Sequence, residues 1–242
     1  MNDSALLSIE GLSVSYGDFL ALHDVTMQFP KGRIISIIGS NGAGKSTLLR
    51  TVMGVTKPTS GHVIFSNEDI TGLQTSKIVA KGLSMSPEGS YVFEDMSVHE
   101  NLMMGAYLPS HRKNMDSLLE RSYELFPVLK EKSKQLATFL SGGQRQMLAI
   151  ARALMSEPKL LICDEISLGL APVVIGDIYD RILDVNDSGV TIVLVEQEVK
   201  RSLEYSDFSY VLVKGRVVMQ GKADELDEGA VRDAYFGINQ FA

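Results

Sequence analysis

Glycines at 39, 42 and 44, a lysine at 45 and hydroxyl residues at 46 and 47 make up the run Gly39-Ser40-Asn41-Gly42-Ala43-Gly44-Lys45-Ser46-Thr47. Glycine leaves room for backbone N–H groups to turn inward around phosphate oxygens, and a helix that starts there offers its positive end to the same anion. Lys45 adds a mobile charge for β- and γ-phosphates, and the Ser46 hydroxyl is placed to take Mg²⁺. Far along the chain, Leu160-Leu161-Ile162-Cys163 runs into the carboxylates Asp164-Glu165. At the C-terminal edge of a parallel sheet, such groups meet bound ligands. Asp164 would hold Mg²⁺, directly or through water, and Glu165 would orient a water toward the γ-phosphate. The two stretches together read as a nucleoside triphosphate and magnesium site.

The elements that must position these groups are legible around them. Arg33-Ile34-Ile35-Ser36-Ile37-Ile38 reads as a buried strand leading into the glycines, and Leu48, Leu49, Val52 and Met53 are spaced for one face of the helix that follows. Upstream, Leu7 and Ile9, then Leu12, Val14 and Tyr16, alternate with polar residues and fall out of step at Gly11, which predicts a bulged strand. Val25, Met27 and Phe29 alternate likewise, so antiparallel strands turn at Pro30-Lys31-Gly32 into the strand feeding the loop; His62–Phe65 adds another. From about Tyr91 to Ala153 helix formers replace the strand pattern, which predicts a helical subdomain over 91–153 inserted in a single domain spanning 1–242. Leu160–Cys163, a helix with Ile175, Ile178, Tyr179, Ile182 and Leu183 on one face, and Val190–Val195 then alternate as an α/β core does. Lys214-Gly215 between Phe208–Val213 and Arg216–Met219 predicts a hairpin, and the residues from Ala223 read as helical.

Composition narrows the setting. Of 242 residues, 45% are hydrophobic, enough for a full core without disulfides, and the lone Cys163 sits among apolar neighbours as a buried thiol of a reducing compartment. A net charge of -7 argues against nucleic acid as a partner, because a duplex binder needs clustered Lys and Arg. Met1-Asn2-Asp3-Ser4 has no basic region of a secretory signal, and apolar runs such as Ile192–Val195 are too short to span a bilayer. The expectation is a soluble, cytoplasmic protein that meets a membrane through a partner.

A third motif, Leu140-Ser141-Gly142-Gly143-Gln144, opens a helix bearing Met147, Ile150, Ala151 and Leu154. Alone it is a favourable helix start and a second anion site. With the other two motifs in order around it, the chain resembles an ATP-binding cassette nucleotide-binding domain over nearly its whole length. That resemblance implies an α/β fold: a P-loop NTPase core of RecA-like, mainly parallel sheet, with an N-terminal antiparallel β subdomain and an inserted helical subdomain. It also implies that two cassettes bind head to tail, each ATP lying between one phosphate loop and the Ser141-Gly142-Gly143-Gln144 segment of the other. The family's adenine platform falls on Tyr16, which could equally be a core-edge residue.

Other positions depart from the general family pattern. Glu88 in Ser86-Pro87-Glu88-Gly89 stands where a magnesium-contacting glutamine is usual, Gln197 where a γ-phosphate histidine is usual, and Ala171 where an aspartate crosses the dimer interface. Glu88 would add a charge near Asp164 and Glu165, so that three carboxylates repel without Mg²⁺. Pro87-Glu88-Gly89, Ser167-Leu168-Gly169-Leu170-Ala171-Pro172 and Val195-Glu196-Gln197 together resemble the F-type ATPase subunit of branched-chain amino acid importers. Ile166 stands where that subgroup has proline, and Ser90-Tyr91 where it has two basic residues. The resemblance implies ATP and Mg²⁺ as cofactors, Glu165, Lys45 and Gln197 as catalytic groups, and Ser46, Glu88 and Asp164 around the metal. Its partners are a second cassette, expected to be a different paralogue with a homodimer as the alternative, and membrane permease subunits, at the cytoplasmic face of the cell membrane. A nucleotide-gated subunit with weak hydrolysis, or an importer of urea or amides, are the alternative readings.

Overall fold

The structure, a computed structural model, describes residues 5–108 and 114–236. Met1-Asn2-Asp3-Ser4, read above for a targeting signal, and residues 237–242, at the end of the stretch read as helical, lie outside them. Two compact units emerge, Met1–Ile78 with Val193–Ala242, and Val79–Ile192.

In the first unit, strands β1 (Ala5–Tyr16) and β2 (Phe19–Pro30) form an antiparallel ribbon whose inward residues, from Leu7 and Ile9 to Met27 and Phe29, are buried. The pairing slips between Ile9 and Leu12, at the bulge expected from the break in alternation. After β3 (Ile34–Ile38) and α1 (Lys45–Val52), β4 (Ser60–Phe65) pairs with the other side of β1, and β5 (Glu68–Asp69) with β4. A second sheet of this unit places β3 between strands from the far end of the chain. The order is β10 (Arg216–Lys222), β9 (Phe208–Val213), β3, then β8 (Thr191–Glu196). Every residue of β3 is buried, as its unbroken Ile-Ile-Ser-Ile-Ile run requires when both faces are covered. β3 and β9 run parallel, with Ile35 opposite Phe208 and Ile38 opposite Val211. β9 and β10 form the expected hairpin, its turn residues Lys214 and Gly215 at φ 45° and 75°, the mirror-image turn that suits strand twist. The helices α8 (Val199–Glu204) and α9 (Glu228–Phe236) cover this sheet through a core of Ile38, Val199, Val211, Val213 and Val231.

In the second unit, β6 (Leu83–Ser86) and β7 (Leu160–Asp164) pair in parallel, Leu83 opposite Leu160 and Ser86 opposite Cys163. Between them lie α3 (Val98–Gly105), α4 (Met115–Leu125), α5 (Pro127–Glu131) and α6 (Gly142–Leu154), and α7 (Pro172–Asp187) follows β7. A capping box starts α3: the Ser97 hydroxyl accepts from the Glu100 N–H, and the Glu100 carboxylate accepts from the Ser97 N–H. α7 buries Ile175, Ile178, Tyr179 and Ile182 as expected, but Leu183 is exposed and Val185 takes the buried place. Val185 lies three positions beyond Ile182 and so shares its face; Leu183 lies one beyond, about 100° around the helix. On α6, Met147 and Leu154 are half-buried while Gln146 and Leu148 are fully buried, because helices pack on more than one side of it. A short helix, α2 (Thr75–Ala80), precedes β6.

Candidate functional site

The first unit builds the phosphate loop from its backbone. Leaving β3, the Gly39 N–H donates to the Glu196 carbonyl at 3.2 Å, which ties the loop to the end of β8. Gly42 and Gly44 have φ of 81° and 108°, so the chain turns through the left-handed region before α1 begins. A Cβ on Gly39 would lie 2.7 Å from the Leu212 carbonyl oxygen, so the close approach of β9 also demands glycine there. Behind the loop, the Gly215 N–H donates to the Ala43 carbonyl at 2.8 Å, and the Gly215 carbonyl accepts from His23 N–H at 2.8 Å. Lys45 is buried, with Nζ donating to the carbonyls of Gly39 at 2.6 Å and Ser40 at 3.2 Å. Its ammonium thus rests over the loop that would surround a phosphate. Ser46, Asn41 and Gly42 are exposed, and Ser40, Gly44 and Thr47 half-buried, so the loop's inner edge is open to an anion.

Tyr16 and Gln197 are brought to this loop. Tyr16 ends β1 with its ring half-exposed; hydrogen bonds with the side chains of Thr56 and then Thr47 hold its hydroxyl below the ordinary pKa. Thr47 is the last residue of the glycine-rich run, so the aromatic ring flanks the phosphate loop. Gln197 directly follows Glu196, the residue that anchors Gly39, and its carbonyl accepts from the Tyr235 hydroxyl at 3.3 Å. The contributions of Glu196, Leu212 and Gly215 leave no signal in the sequence. They act through main-chain groups, and a Lys-Gly pair in sequence signals a turn without saying what lies beneath it.

The second unit carries the carboxylates and the Ser-Gly-Gly motif. Asp164 ends β7 and Glu165 follows, both buried, and Glu165 adopts φ 46°. Left-handed backbone is uncommon for a residue with a side chain and collects at functional sites. Ser141 caps α6: its hydroxyl accepts from Gln144 N–H at 3.3 Å, and Gln144 Oε1 accepts from Ser141 N–H at 3.1 Å. This cap fixes Ser141 and Gln144 and leaves the helix start between them. The glycines differ: a Cβ on Gly142 would meet only Leu170, at 3.4 Å, whereas one on Gly143 would overlap Val174 Cγ1 on α7. Gly143→Ala is therefore expected to lower the unfolding free energy by about 1–3 kcal/mol, and Gly142→Ala to leave it within about 0.5 kcal/mol. Urea unfolding of both variants checks the contrast, and equal losses would refute it.

Glu88 lies in the loop after β6 with its side chain exposed, and Ala171 is the exposed N-cap of α7. Among the described residues no group of three or more His, Cys, Asp or Glu side chains could hold a metal together. The three-carboxylate crowding expected of Glu88, Asp164 and Glu165 is thus absent, with Glu88 exposed while the other two are buried. A hydroxyl and one or two carboxylates nevertheless suit Mg²⁺, which takes few protein oxygens and completes its shell with phosphates and water.

A glycine loop between a buried strand and a helix, with an Asp-Glu pair closing another parallel strand, defines a P-loop nucleoside triphosphatase. Residues 22–167 match the ABC transporter family, and the chain belongs to it. It is an ATP-binding and ATP-hydrolysing cassette. The chain is 46% identical to the high-affinity branched-chain amino acid transport ATP-binding protein BraG of Pseudomonas aeruginosa, over 96% of this chain and 100% of that one. It is 39% identical to the probable branched-chain amino acid transport ATP-binding protein LivF of Archaeoglobus fulgidus, over 90% and 92%. Its fold is similar to the crystal structure of a nucleotide-free ATP-binding cassette from an ABC transporter, at a TM-score of 0.81 and 28% identity, over 98% of this chain and 96% of that one.

Proposed function

We propose that this cassette energises a bacterial importer of branched-chain amino acids or related small polar solutes, from the cytoplasmic face of the cell membrane. The observation that carries this reading is the 46% identity to a branched-chain amino acid transport ATP-binding protein along essentially the full length of both chains. In the reaction, Lys45 and the N–H groups of residues 39–47 bind the phosphates, and Tyr16 stacks on the base. Glu165 orients the attacking water, and Gln197 contacts the γ-phosphate through its amide. Ser46, Asp164 and Glu88 would hold Mg²⁺, which when bound would neutralise charge on the β- and γ-phosphates. Ser141, Gly142, Gly143 and Gln144 serve the ATP of a second cassette.

Two features support a particular assembly. Tyr91 is 70% and Phe93 45% exposed, while Val92 between them is half-buried. The Arg152 guanidinium lies 5.0 Å from the Phe93 ring centre and donates to the Tyr91 carbonyl, so a fixed backbone displays two aromatic rings. Aromatic anchors of this kind suit a short helix of a permease subunit. Among the described residues no helix is long and apolar enough to cross a membrane, which leaves the crossing to that permease. Gln197 and Ala171, both uncharged, favour pairing with a different cassette and a slower ATP site on this chain's own Lys45. Loss of a charged hydrogen bond acting mainly in the transition state would slow that site about ten- to a hundredfold. The test is reconstitution of the transporter with this chain alone and with a candidate partner cassette, following leucine uptake and phosphate release. Uptake only with the partner is expected. Full coupled uptake by the homodimer would remove the case for asymmetry, and a reconstituted transporter that hydrolyses ATP but never takes up leucine would remove the assigned solute.

A further inference from the structure

Among the described residues, the buried side-chain atoms without a hydrogen-bond partner are Ser86 Oγ and Gln146 Nε2. Both border one short segment of the second unit. Ser86 is the last residue of β6, two positions before Glu88, and Gln146 on α6 accepts at Oε1 from the hydroxyl of Ser90, two positions after it. The next residue is gripped by the same helix, since Arg152 donates to the Tyr91 carbonyl. Glu88 itself is exposed, so the segment is held through Ser90 and Tyr91 and presents its carboxylate freely.

Stability does not account for the Ser90–Gln146 pair. Ser90 adopts φ 50°, a backbone region that suits Gly or Asn better than serine. Gln146 is 3% exposed and buries amide N–H groups that go unmet, whereas a leucine there would bury no polar atom of its own and leave only the half-buried Ser90 hydroxyl to turn to water. A strained donor and a half-satisfied acceptor, joined across two elements, mark a contact kept for where it puts the chain.

We propose that Ser90 and Gln146 are positioning residues whose hydrogen bond latches the Glu88 segment to α6, the helix that begins at Ser141. One helix would then both set the carboxylate that faces this chain's Mg²⁺ and present Ser141-Gly142-Gly143 to the ATP of the second cassette. The inference rests on the role proposed above for Glu88.

The test uses the full chain with a non-hydrolysable ATP analogue, Mn²⁺ as a magnetic stand-in for Mg²⁺ followed by electron paramagnetic resonance, and thermal unfolding of the same samples. Ser90→Ala and Gln146→Leu are each expected to weaken Mn²⁺ binding about tenfold, and the double variant no further than either single. Tm should fall in Ser90→Ala, which leaves the buried Gln146 amide without a partner, and hold or rise in Gln146→Leu and in the double variant. Ser90→Asn, which accepts a positive φ and keeps a donor, should retain most of the affinity. If Glu88→Ala weakens Mn²⁺ binding while Ser90→Ala leaves it unchanged, the latch is overturned and the role of Glu88 stands. If Glu88→Ala has no effect, both fall. A Tm that drops in step with affinity in every variant would reduce the pair to a packing contact and overturn the proposal as well.

Discussion

ATP turnover by the assembled transporter is expected to fall about 100-fold or more in Glu165→Gln, with ATP still bound. Glutamine matches the glutamate in size, so the buried place after β7 need not repack, and it accepts a positive φ no worse than glutamate at φ 46°. What changes is the charge. An amide cannot polarise a water as a carboxylate does, and positioning a nucleophile is most of what a protein contributes to phosphoryl transfer. Binding contacts at the phosphate loop are untouched, so two cassettes should accumulate around trapped ATP, visible as a dimer in sedimentation. Phosphate release by the assembled variant is the deciding measurement, and a rate equal to the parent's would remove Glu165 from the role given to it.

Lys45→Ala should instead cost affinity. The Lys45 ammonium already lies inside the loop, 2.6 Å from the Gly39 carbonyl and 3.2 Å from that of Ser40, so little movement brings it onto a phosphate. A hydrogen bond to a charged group contributes about 1.5–3 kcal/mol, which corresponds to roughly a ten- to a hundredfold weaker ATP complex. Removing the ammonium has a smaller effect on the fold, because the Gly39 and Ser40 carbonyls it meets border an open loop and can turn to water. Equilibrium binding of ATP, with thermal unfolding as the control, separates the two. An unchanged Kd would show that the backbone N–H groups alone hold the phosphates.

The residues that do chemistry were the easiest part to read. Gly39, Gly42, Gly44 and Lys45 are recognisable because backbone approach and charge restrict the residue type at each position. The bulge at Gly11 is legible because it breaks a period of two, and the Lys214-Gly215 turn because a Lys-Gly pair stands between two strand-like runs. β6 was not, because Leu83-Ser84-Met85-Ser86 offers two apolar side chains, and its strand character comes from pairing with β7. Leu183 is apolar yet exposed, because it lies past the angle at which the buried face of α7 ends. Nor could sequence show that Glu196 and Gly215 hold the phosphate loop through main-chain atoms, or that Ser90 reaches Gln146. A contact between backbone groups leaves no residue preference behind, and a serine next to a glycine looks like any turn.

The place of β3 in its sheet has a consequence for how the protein is made. The strand that carries the phosphate loop pairs with β9 on one side and lies beside β8 on the other, and its loop is buttressed by the turn at Gly215. A ribosome that has delivered Glu165 has released the glycine loop and the carboxylates, yet neither neighbour of β3. Contacts of such long sequence separation form late, because the loop they close must first be ordered. Until β9 and β10 emerge, the nascent chain therefore holds the letters of a nucleotide site without the site, and its isoleucine-rich β3 must wait in a form that does not aggregate.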